Sequence, residues 1–372
     1  MAKQNKPNFY PVVLAGGRGT RFWPLSRKKC AKQLLPLNSS KTMIVETIER
    51  LLPVSKPENF WIITNADSRE GITKQLRRFD KRRIIAEPVG RNTAPAIGLA
   101  AYILLRTDPD AVLGLFPSDQ VILDEKRYRA DLNKAVEIAA AGENVVVLGI
   151  RPTRPETGYG YIEAGREMEG GVRRVRRFTE KPNADKAEQF LQAGNYYWNS
   201  GMFIWAASTL AAALEEYLPK TAPLLKQIAA AYGTRRFESV FKRLYPKCEN
   251  ISADYAVAEP RSARGEIDSN IFCIPASFGW NDLGSWTALH EHRVSQGIND
   301  HENNVIEAAR VHVLNASGNF IHAPGKFVAA VGVNDVVVVD TGDALLITTR
   351  DQAQDVGRVV KYLDEKKLKN LI

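Results

Sequence analysis

A short apolar segment of the chain runs directly into a loop that is rich in glycine and in basic residues. Residues 10–15 have the pattern of a buried strand, and Gly16, Gly17 and Gly19 follow at once. Because glycine has no side chain, the backbone N–H groups of such a loop can approach an anion closely. Basic side chains accompany the glycines: Arg18, Arg21, Arg27 and Lys32. This combination predicts a loop that binds phosphate groups.

Glycine spacing separates this loop from two common phosphate-binding motifs. A Walker A loop requires Gly-Lys-Ser/Thr after four spacer residues, and the Rossmann fingerprint Gly-x-Gly-x-x-Gly has a different glycine rhythm. For an isolated glycine loop after a strand, a tight turn without a ligand is the simpler interpretation. Further segments of this chain favour the phosphate-binding interpretation.

The length and composition are those of an ordinary globular protein. With 372 residues, 44% of them hydrophobic and 25% charged, the chain has room for one large domain and a smaller one. Its first residues lack the apolar core of a signal peptide, and its longest apolar stretch, residues 96–105, is too short to span a bilayer. We therefore expect a cytoplasmic protein that does not enter a membrane.

Cysteine and histidine usage argues against disulfides and against a transition-metal site. Cys30, Cys248 and Cys273 are far apart and form no Cys-x-x-Cys pair, so we expect reduced thiols. The five histidines all lie late in the chain at unpatterned spacings. A metal, if one is used, is therefore expected to have oxygen ligands.

The formal net charge is +9, which suits a protein that binds phosphorylated small molecules and also suits one that binds nucleic acid. The basic clusters at residues 77–83 and 173–177 have no interleaved aromatic residues on which bases could stack. We therefore predict that nucleic acid is not a partner.

Short β-branched runs alternate with helical patterns over the first three quarters of the chain. The runs are residues 61–64, 111–116 and 144–149, and the helical patterns are residues 94–106 and 128–141. This alternation predicts an α/β domain over residues 1–298, a Rossmann-like mixed and mainly parallel sheet with helices on both faces. Ligands of such sheets bind at the carboxyl ends of the strands, where the glycine-rich loop would lie.

The sequence pattern changes in residues 299–372. Short β-runs, such as residues 311–314, 326–331 and 336–339, are broken by Asn, Gly and Asp, and a helical pattern follows over residues 352–367. These features predict a small all-β domain with a terminal helix. The residues alone do not distinguish a β-helix from a small β-sandwich.

Residues 14–33, with the continuation Phe-Trp-Pro-Leu-Ser-Arg at 22–27, resemble the signature of the sugar-1-phosphate nucleotidylyltransferases, and in particular their mannose-1-phosphate guanylyltransferase branch. Ala31 departs from the usual proline, while Lys32 is retained, so we expect altered loop rigidity and unchanged chemistry. The resemblance implies a left-handed β-helix as the C-terminal domain, a module that relatives use for dimerisation. It also implies these nucleotide-binding residues in the loop: Leu14, Ala15, Gly16, Gly17, Arg18, Gly19 and Thr20.

A second segment resembles the part of the family that surrounds the guanine base. It contains Glu87, Pro88, Gly90, Arg91, Asn92 and Thr93. We hypothesise that the Glu87 carboxylate accepts the N1–H and N2–H donors of guanine. A well-capped helix start, with Asn92 or Thr93 as N-cap, is the plain structural interpretation of the same residues.

Two acidic residues far apart in the chain resemble the metal ligands of the family. Asp119 directly follows an apolar strand, and Asp282 lies in the Phe-Gly-Trp-Asn-Asp-Leu-Gly-Ser-Trp segment at 278–286. Mg²⁺ prefers a few protein oxygens together with substrate phosphates and water. Gln120 stands where the family motif usually has histidine, so it can donate a hydrogen bond but carries no charge. A helix or strand cap is the ordinary role of a single aspartate at such a position.

The sugar half of the site resembles the family in three segments, at residues 156–163, 178–182 and 197–203. The resemblance implies these sugar-binding residues: Gly158, Tyr159, Glu180, Lys181 and Asn199. In this interpretation Gly158 offers backbone contact, Glu180 and Asn199 bind hydroxyls, and Lys181 neutralises the 1-phosphate. Polar partners suit a polyhydroxylated ring, because leaving one hydrogen bond unmade costs about 1–3 kcal/mol.

The implied reaction is GTP plus mannose 1-phosphate giving GDP-mannose and diphosphate, with Mg²⁺ as cofactor. Arg21, Lys32, Lys181 and Asp119 are the implied catalytic residues. Transfer of a nucleotide to another hexose or heptose 1-phosphate is an alternative within the same class. A catalytically silent paralogue that binds nucleotide sugars is an alternative of another class. We expect no fused isomerase domain, and a homodimer is compatible with the resemblance.

Overall fold

The computed structural model describes residues 7–372, and its strands account for both β-regions expected from the sequence. The strands are β1 (Phe9–Ala15), β2 (Trp61–Asn65), β3 (Ile84–Glu87), β4 (Val112–Pro117), β5 (Val121–Ile122), β6 (Val145–Ile150), β7 (Tyr161–Glu167), β8 (Arg173–Thr179), β9 (Tyr196–Ala206), β10 (Ile271–Ala276), β11 (Trp280–Asn281), β12 (Val305–Leu314), β13 (Phe320–Val331), β14 (Val336–Asp340) and β15 (Leu345–Thr349).

Several of the helices begin at a polar residue whose side chain caps the first turn. They are α1 (Met43–Leu51), α2 (Ala66–Gln75), α3 (Thr93–Leu104), α4 (Glu125–Ala140), α5 (Ala184–Ala193), α6 (Ala207–Tyr217), α7 (Ala222–Ala231), α8 (Phe237–Leu244), α9 (Glu259–Ser262), α10 (Trp286–Ser295) and α11 (Val356–Glu365). The side chains of Asn65, Asp124, Asn183 and Ser285 each accept a hydrogen bond from a backbone N–H of the following first turn. Such caps satisfy donors that have no partner inside the helix.

The large sheet has the strand order β3-β2-β1-β4-β9-β6-β10-β8-β7. Strands β3, β2, β1 and β4 are parallel to one another, and so are β6 and β10. By contrast, β7, β8 and β9 pair antiparallel with all their neighbours. The mixed sheet is therefore less parallel than the sequence pattern predicts, because β7 and β8 are joined by a short turn, which forces antiparallel pairing.

The C-terminal strands form a separate four-stranded sheet of order β12-β13-β14-β15. The pairs β12–β13 and β13–β14 are parallel, with partners such as Val305↔Phe320 and Phe320↔Val337. Parallel strands that follow each other after only a few residues must coil, which is the geometry of a β-helix and not of a sandwich. A terminal helix, α11, lies within the predicted residues 352–367.

Apolar residues cover both faces of the large sheet, and a third buried cluster joins the C-terminal sheet to the rest of the protein. Phe22 and Trp286 of that cluster pack with Phe320 of β13 and Val356 of α11. The segment after the glycine-rich loop is therefore buried against the C-terminal sheet. Within residues 7–372, no helix is long and apolar enough to cross a bilayer.

Candidate active site

The glycine-rich loop begins where β1 ends, and its first carbonyl group is firmly held. The Ala15 carbonyl accepts hydrogen bonds from Gln33 Nε2 at 2.7 Å and from Thr64 Oγ1 at 2.8 Å. A Cβ atom on Gly17 would meet no atom within 4 Å. The loop therefore has a fixed base and an open outer side over which a phosphate chain can lie.

Gly19 is the position at which the loop requires glycine. Its φ of 64° lies in the left-handed region, and a Cβ atom there would come within 2.2 Å of Lys32 Cβ. The Ser26 hydroxyl donates to the Gly19 carbonyl at 2.7 Å. The loop is thus packed directly on the segment that carries Lys32.

Lys32 connects the two predicted metal ligands. Its Nζ donates to Asp119 Oδ2 at 3.0 Å, to the Asp119 carbonyl at 3.0 Å and to the Asp282 carbonyl at 2.6 Å. Lys32 is 5% exposed, so these contacts lie largely out of water. The short pair β5–β11 brings the two acidic segments together, because Asn281 pairs with Val121 immediately after the Asp119 turn.

Arg21 lies at the edge of the same site. It is exposed, and its Nη1 donates to the Gly284 carbonyl at 3.0 Å. A cavity of about 370 Å³ is lined by Arg21, Lys32, Asp119 and Asp282 together with Gly19 and Gly284. Thus two of the predicted catalytic cations, Arg21 and Lys32, face one space with the predicted metal acids, whereas Lys181 lies on the wall of a neighbouring cavity.

The carboxylates of this cavity fit a divalent cation that is shared with a substrate. Asp119 keeps 38% of its side chain exposed, and Asp282 also lines the cavity. Among residues 7–372, no group of three or more His, Cys, Asp or Glu side chains forms a complete protein cage for a metal. Two carboxylates without a third protein ligand suit Mg²⁺, which retains waters and binds substrate phosphates.

A larger cavity of about 840 Å³ adjoins the first, with Arg21, Gln120, Asp282 and Gly284 lining both. The predicted sugar-binding residues all lie on its wall: Gly158, Tyr159, Glu180, Lys181 and Asn199. Tyr159 packs edge-on against Trp198 and Trp280, with ring centroids 5.2 and 5.4 Å away. Its hydroxyl donates to Asp282 Oδ1 at 2.6 Å, so the sugar cavity and the acidic pair share a residue.

Glu180 is a buried acid at the back of the large cavity. Burial, and then the Asp254 carboxylate, raise the pKa of Glu180 to about 7. Its Oε1 pairs with Lys181 Nζ at 2.9 Å, whereas its Oε2 is buried without a hydrogen-bond partner. A Cβ atom on Gly160 would come within 2.4 Å of that Oε2. The glycine therefore leaves the space that Glu180 occupies.

Asn199 and Asp254 form a second polar pair on the same wall. Asn199 Nδ2 donates to Asp254 Oδ1 at 2.8 Å, and burial raises the pKa of Asp254. Lys181 has a positive φ of 45° and keeps 54% of its side chain exposed. The Gly158 N–H already donates to Glu156 Oε1 at 3.0 Å. The wall thus presents buried acceptors, together with the half-exposed cation of Lys181.

The predicted guanine-binding segment lies beside the glycine-rich loop and lines neither cavity. Glu87 Oε2 would be 3.5 Å from a Cβ atom on Gly16, and Glu87 Oε1 accepts from the Tyr245 hydroxyl at 2.6 Å. Burial raises the pKa of Glu87. Asn92 has a φ of 62° and accepts from the Thr93 N–H at 2.9 Å. Asn92 is therefore the N-cap of α3, as the helix-cap interpretation predicts.

The remaining residues of this segment divide into exposed and anchored positions. Pro88 and Gly90 are exposed at the turn. Arg91 donates through Nη2 to the Pro246 carbonyl, and Thr93 Oγ1 accepts from the Ala253 N–H at 2.8 Å. The turn is therefore held against the chain that leads to Asp254.

Both departures from the family pattern are accommodated locally. Gln120 Nε2 donates to the Ser200 carbonyl at 2.6 Å, so the amide fastens the acidic turn to β9. Ala31 has a φ of −66°, which is the value that proline would impose. The backbone therefore keeps the proline-like path without the proline.

Sequence reasoning missed several residues of the site, among them Asp254, Tyr245 and Arg350. Asp254 contacts Asn199, and Tyr245 contacts Glu87. Arg350, which directly follows β15 of the C-terminal sheet, lines the large cavity. A signal existed for Asp254, an acid placed before the apolar run 255–258. Tyr245 and Arg350 carry no such signal, since they reach the site only through the tertiary fold.

Residues 10–296 match the family described as Nucleotidyl transferase, and residues 309–363 match the MannoseP isomerase/GMP-like beta-helix domain. The first match spans nearly all of the large sheet, and the second spans most of the C-terminal sheet and of α11.

Named relatives are more than a third identical to this chain over the aligned residues. Mannose-1-phosphate guanylyltransferase from Escherichia coli (strain K12) is 40% identical over 368 residues, covering 95% of this chain and 73% of the relative. Mannose-1-phosphate guanylyltransferase RfbM from Salmonella typhimurium (strain LT2) is 39% identical over 96% of this chain and 72% of the relative. A crystal structure from Thermus thermophilus, named mannose-1-phosphate geranyltransferase, superposes with a TM-score of 0.82 at 35% identity, covering 96% of this chain and 99% of that one.

Proposed function

The chain belongs to the nucleotidyl transferase family, and its curated relatives include mannose-1-phosphate guanylyltransferases; from this premise we propose that it transfers GMP from GTP to mannose 1-phosphate. The products are GDP-mannose and diphosphate. One observation carries the proposal to these residues: Lys32 binds Asp119 and the Asp282 carbonyl between the glycine-rich loop and the sugar cavity. A triphosphate on the loop and a sugar phosphate in the cavity would meet at that point.

The sugar phosphate is the nucleophile, and it needs no general base. Its oxygen is already anionic when it attacks the α-phosphorus of GTP, and diphosphate leaves on the opposite side. Catalysis then depends on positioning and on neutralising charge. Arg18, Arg21 and Lys32 hold the triphosphate and the departing diphosphate, and Lys181 on the wall of the large cavity holds the sugar phosphate.

Asp119 and Asp282 are the residues that would hold a divalent cation, which we propose to be Mg²⁺. When bound, it would neutralise phosphate charge at the point where the two substrates meet. Tyr159 orients Asp282 through the hydrogen bond to its Oδ1. Lys32 fixes Asp119 in the same way, through a contact of 3.0 Å.

Substrate choice rests on buried polar groups. Glu87 offers its carboxylate to the two donors on the guanine edge, beside the loop at Gly16. Glu180, Asn199 and Asp254 present acceptors to the sugar hydroxyls inside the large cavity. A sugar that leaves one of these groups unpaired loses about 1–3 kcal/mol of binding free energy.

The deciding experiment measures diphosphate release from purified protein with Mg²⁺, pairing each of GTP, ATP, UTP and dTTP with mannose 1-phosphate or glucose 1-phosphate. Release from GTP and mannose 1-phosphate alone is the expected result. Faster release with glucose 1-phosphate would instead assign another hexose phosphate as acceptor. No release from any pair, with GTP still bound, would favour a silent nucleotide-sugar-binding paralogue.

A further inference from the structure

A third cavity, of about 620 Å³, lies away from the active site and shares no lining residue with the two cavities described above. It opens at β3, the outermost strand of the large sheet, between the C-terminal end of α3 and helix α8. Its volume is within the range of small-molecule sites in proteins. Neither the proposed reaction nor its substrates require this space.

The charge of its lining is positive. Arg69, Arg82, Arg83 and Arg106 line the cavity, against the two acids Asp80 and Glu238. Asp80 forms an ion pair with Arg82, with 2.7 Å between Asp80 Oδ2 and Arg82 Nη2. Arg106 Nη1 donates hydrogen bonds to the carbonyls of Ala229 and Tyr232. Within residues 7–372, the Arg69 and Arg83 guanidinium groups make no ion pair with an acid.

Two donors on the lining are buried without partners. Arg83 Nη1 and Trp61 Nε1 both lack a hydrogen bond, and Trp61 is only 4% exposed. An unmade hydrogen bond on a buried donor is costly, and more so on a charged one. A ligand that brings acceptor oxygens to Arg83 would remove that cost.

Aromatic rings form the apolar part of the wall. Arg83 lies 5.2 Å from the Trp61 ring centroid, Trp61 packs on Tyr232 at 5.5 Å, and Tyr232 packs on Phe237 at 5.2 Å. Phe241 completes this wall. Rings beside unpaired guanidinium groups suit a ligand with both a planar ring and an anionic group.

We propose that this cavity binds a small anionic ligand of the nucleotide type, with its ring against the aromatic wall and its phosphate on Arg83 and Arg69. The bound ligand lies against β3, the strand that ends at Glu87. Phe241 also packs 4.9 Å from Tyr245, the residue that hydrogen-bonds Glu87. The ligand therefore occupies a site next to the residue proposed to recognise the base.

Calorimetric titration of the full chain with AMP, CMP and UMP tests this site. At least one of the three should bind, and Arg83→Gln and Arg69→Gln should each weaken that binding about tenfold or more, since each removes a charge-assisted contact. Arg69 is exposed on α2, so its variant preserves the test if Arg83→Gln fails to fold. The nucleoside that corresponds to the nucleotide that binds, and inorganic phosphate, should each bind more weakly than that nucleotide.

Two further variants locate the binding. Arg78→Gln removes the same charge from an exposed position outside the lining and should leave binding within about twofold of the unmodified protein. Arg21→Gln alters the active site, and it should also leave nucleotide binding at this cavity unchanged. Absence of binding by all three nucleotides up to about 5 mM, or binding that is lost in Arg21→Gln and kept in Arg83→Gln, would overturn the proposal.

Discussion

Asp119 is the single residue on which most of the proposed chemistry converges, because its carboxylate faces both Lys32 and the space for the substrate phosphates. Asp119→Asn keeps the shape and removes the charge. We expect kcat/KM for diphosphate release to fall by about 10²–10³, the cost of removing one preorganised electrostatic group. Titrating Mg²⁺ at fixed substrate should show a higher concentration requirement.

Asp124 provides the matched control for this substitution. Its side chain caps α4 by accepting from the Arg127 N–H at 2.9 Å, and asparagine caps a helix equally well. Asp124→Asn should therefore leave both rate and stability near those of the unmodified protein. A near-normal rate and Mg²⁺ requirement in Asp119→Asn would show that this carboxylate does not hold the metal.

Glu180 gives the protein a pH-dependent stability with a definite sign. Its pKa rises from 4.5 to about 7 in the folded state, chiefly through burial. Between these values the folded state keeps a proton that the unfolded state has lost, so stability falls as the pH rises through this window. The loss, on the order of 3 kcal/mol, is complete once the pH is well above the folded-state pKa of about 7.

Glu180→Gln removes this titration. In denaturant unfolding at pH 5 and pH 8, the unmodified protein should lose more stability across the two values than the variant does. At the same time KM for mannose 1-phosphate should rise, since a hydroxyl acceptor is lost. Glu188→Gln, an exposed change on α5, should retain the full pH dependence. Equal pH dependence in all three proteins would contradict burial as the origin of the shift.

At the scale of elements, two glycines of the glycine-rich loop are expected to have different roles. Gly19 is required by the structure of the loop, and Gly17 is expected to serve substrate binding. Gly19→Ala places a Cβ atom 2.2 Å from Lys32 Cβ at a φ of 64°, so we expect a loss of stability of about 2 kcal/mol or more. Gly17→Ala meets no atom within 4 Å and should leave stability within about 0.5 kcal/mol.

The same two variants should affect activity and stability in different ways. If the phosphates of GTP lie against the backbone at Gly17, a methyl group there should raise KM for GTP while the thermal unfolding midpoint stays unchanged. Steady-state kinetics and calorimetry on the two variants measure both effects. A Gly17→Ala protein with normal KM would place the phosphate chain elsewhere on the loop.

Helices and strands could be predicted from the sequence wherever local pattern decides them, whereas contacts between distant residues could not. The strand before the loop, helices α3 and α4 and the β-rich C-terminal region all follow from short-range periodicity. The antiparallel placement of β9 between β4 and β6 depends on how distant segments meet. The same holds for the Tyr159–Asp282 and Tyr245–Glu87 hydrogen bonds, whose partners are 123 and 158 residues apart.

At the scale of the whole molecule, the C-terminal unit is fastened to the segment that follows the phosphate loop. Trp23 Nε1 donates to the Leu371 carbonyl at 2.8 Å, and Trp286 Nε1 donates to the Trp23 carbonyl at 3.2 Å. Arg27 pairs with Asp343 at 3.0 Å. Because these contacts enclose the residues around the active-site loop, the two sheets should unfold together.

Phe320→Ala tests this shared core. Phe320 is 1% exposed on β13, and its ring lies 5.3 Å from that of Trp286 on the other side of the junction. We expect a loss of about 3–5 kcal/mol of stability, the usual cost of removing a buried phenylalanine. Scanning calorimetry should still show one transition at a lower temperature, with diphosphate release lost over the same range. Tyr362→Ala, at a 55% exposed position on α11, should change the midpoint little. Two transitions, with activity surviving the first, would mean that the C-terminal unit folds by itself and that the active-site loop does not depend on it.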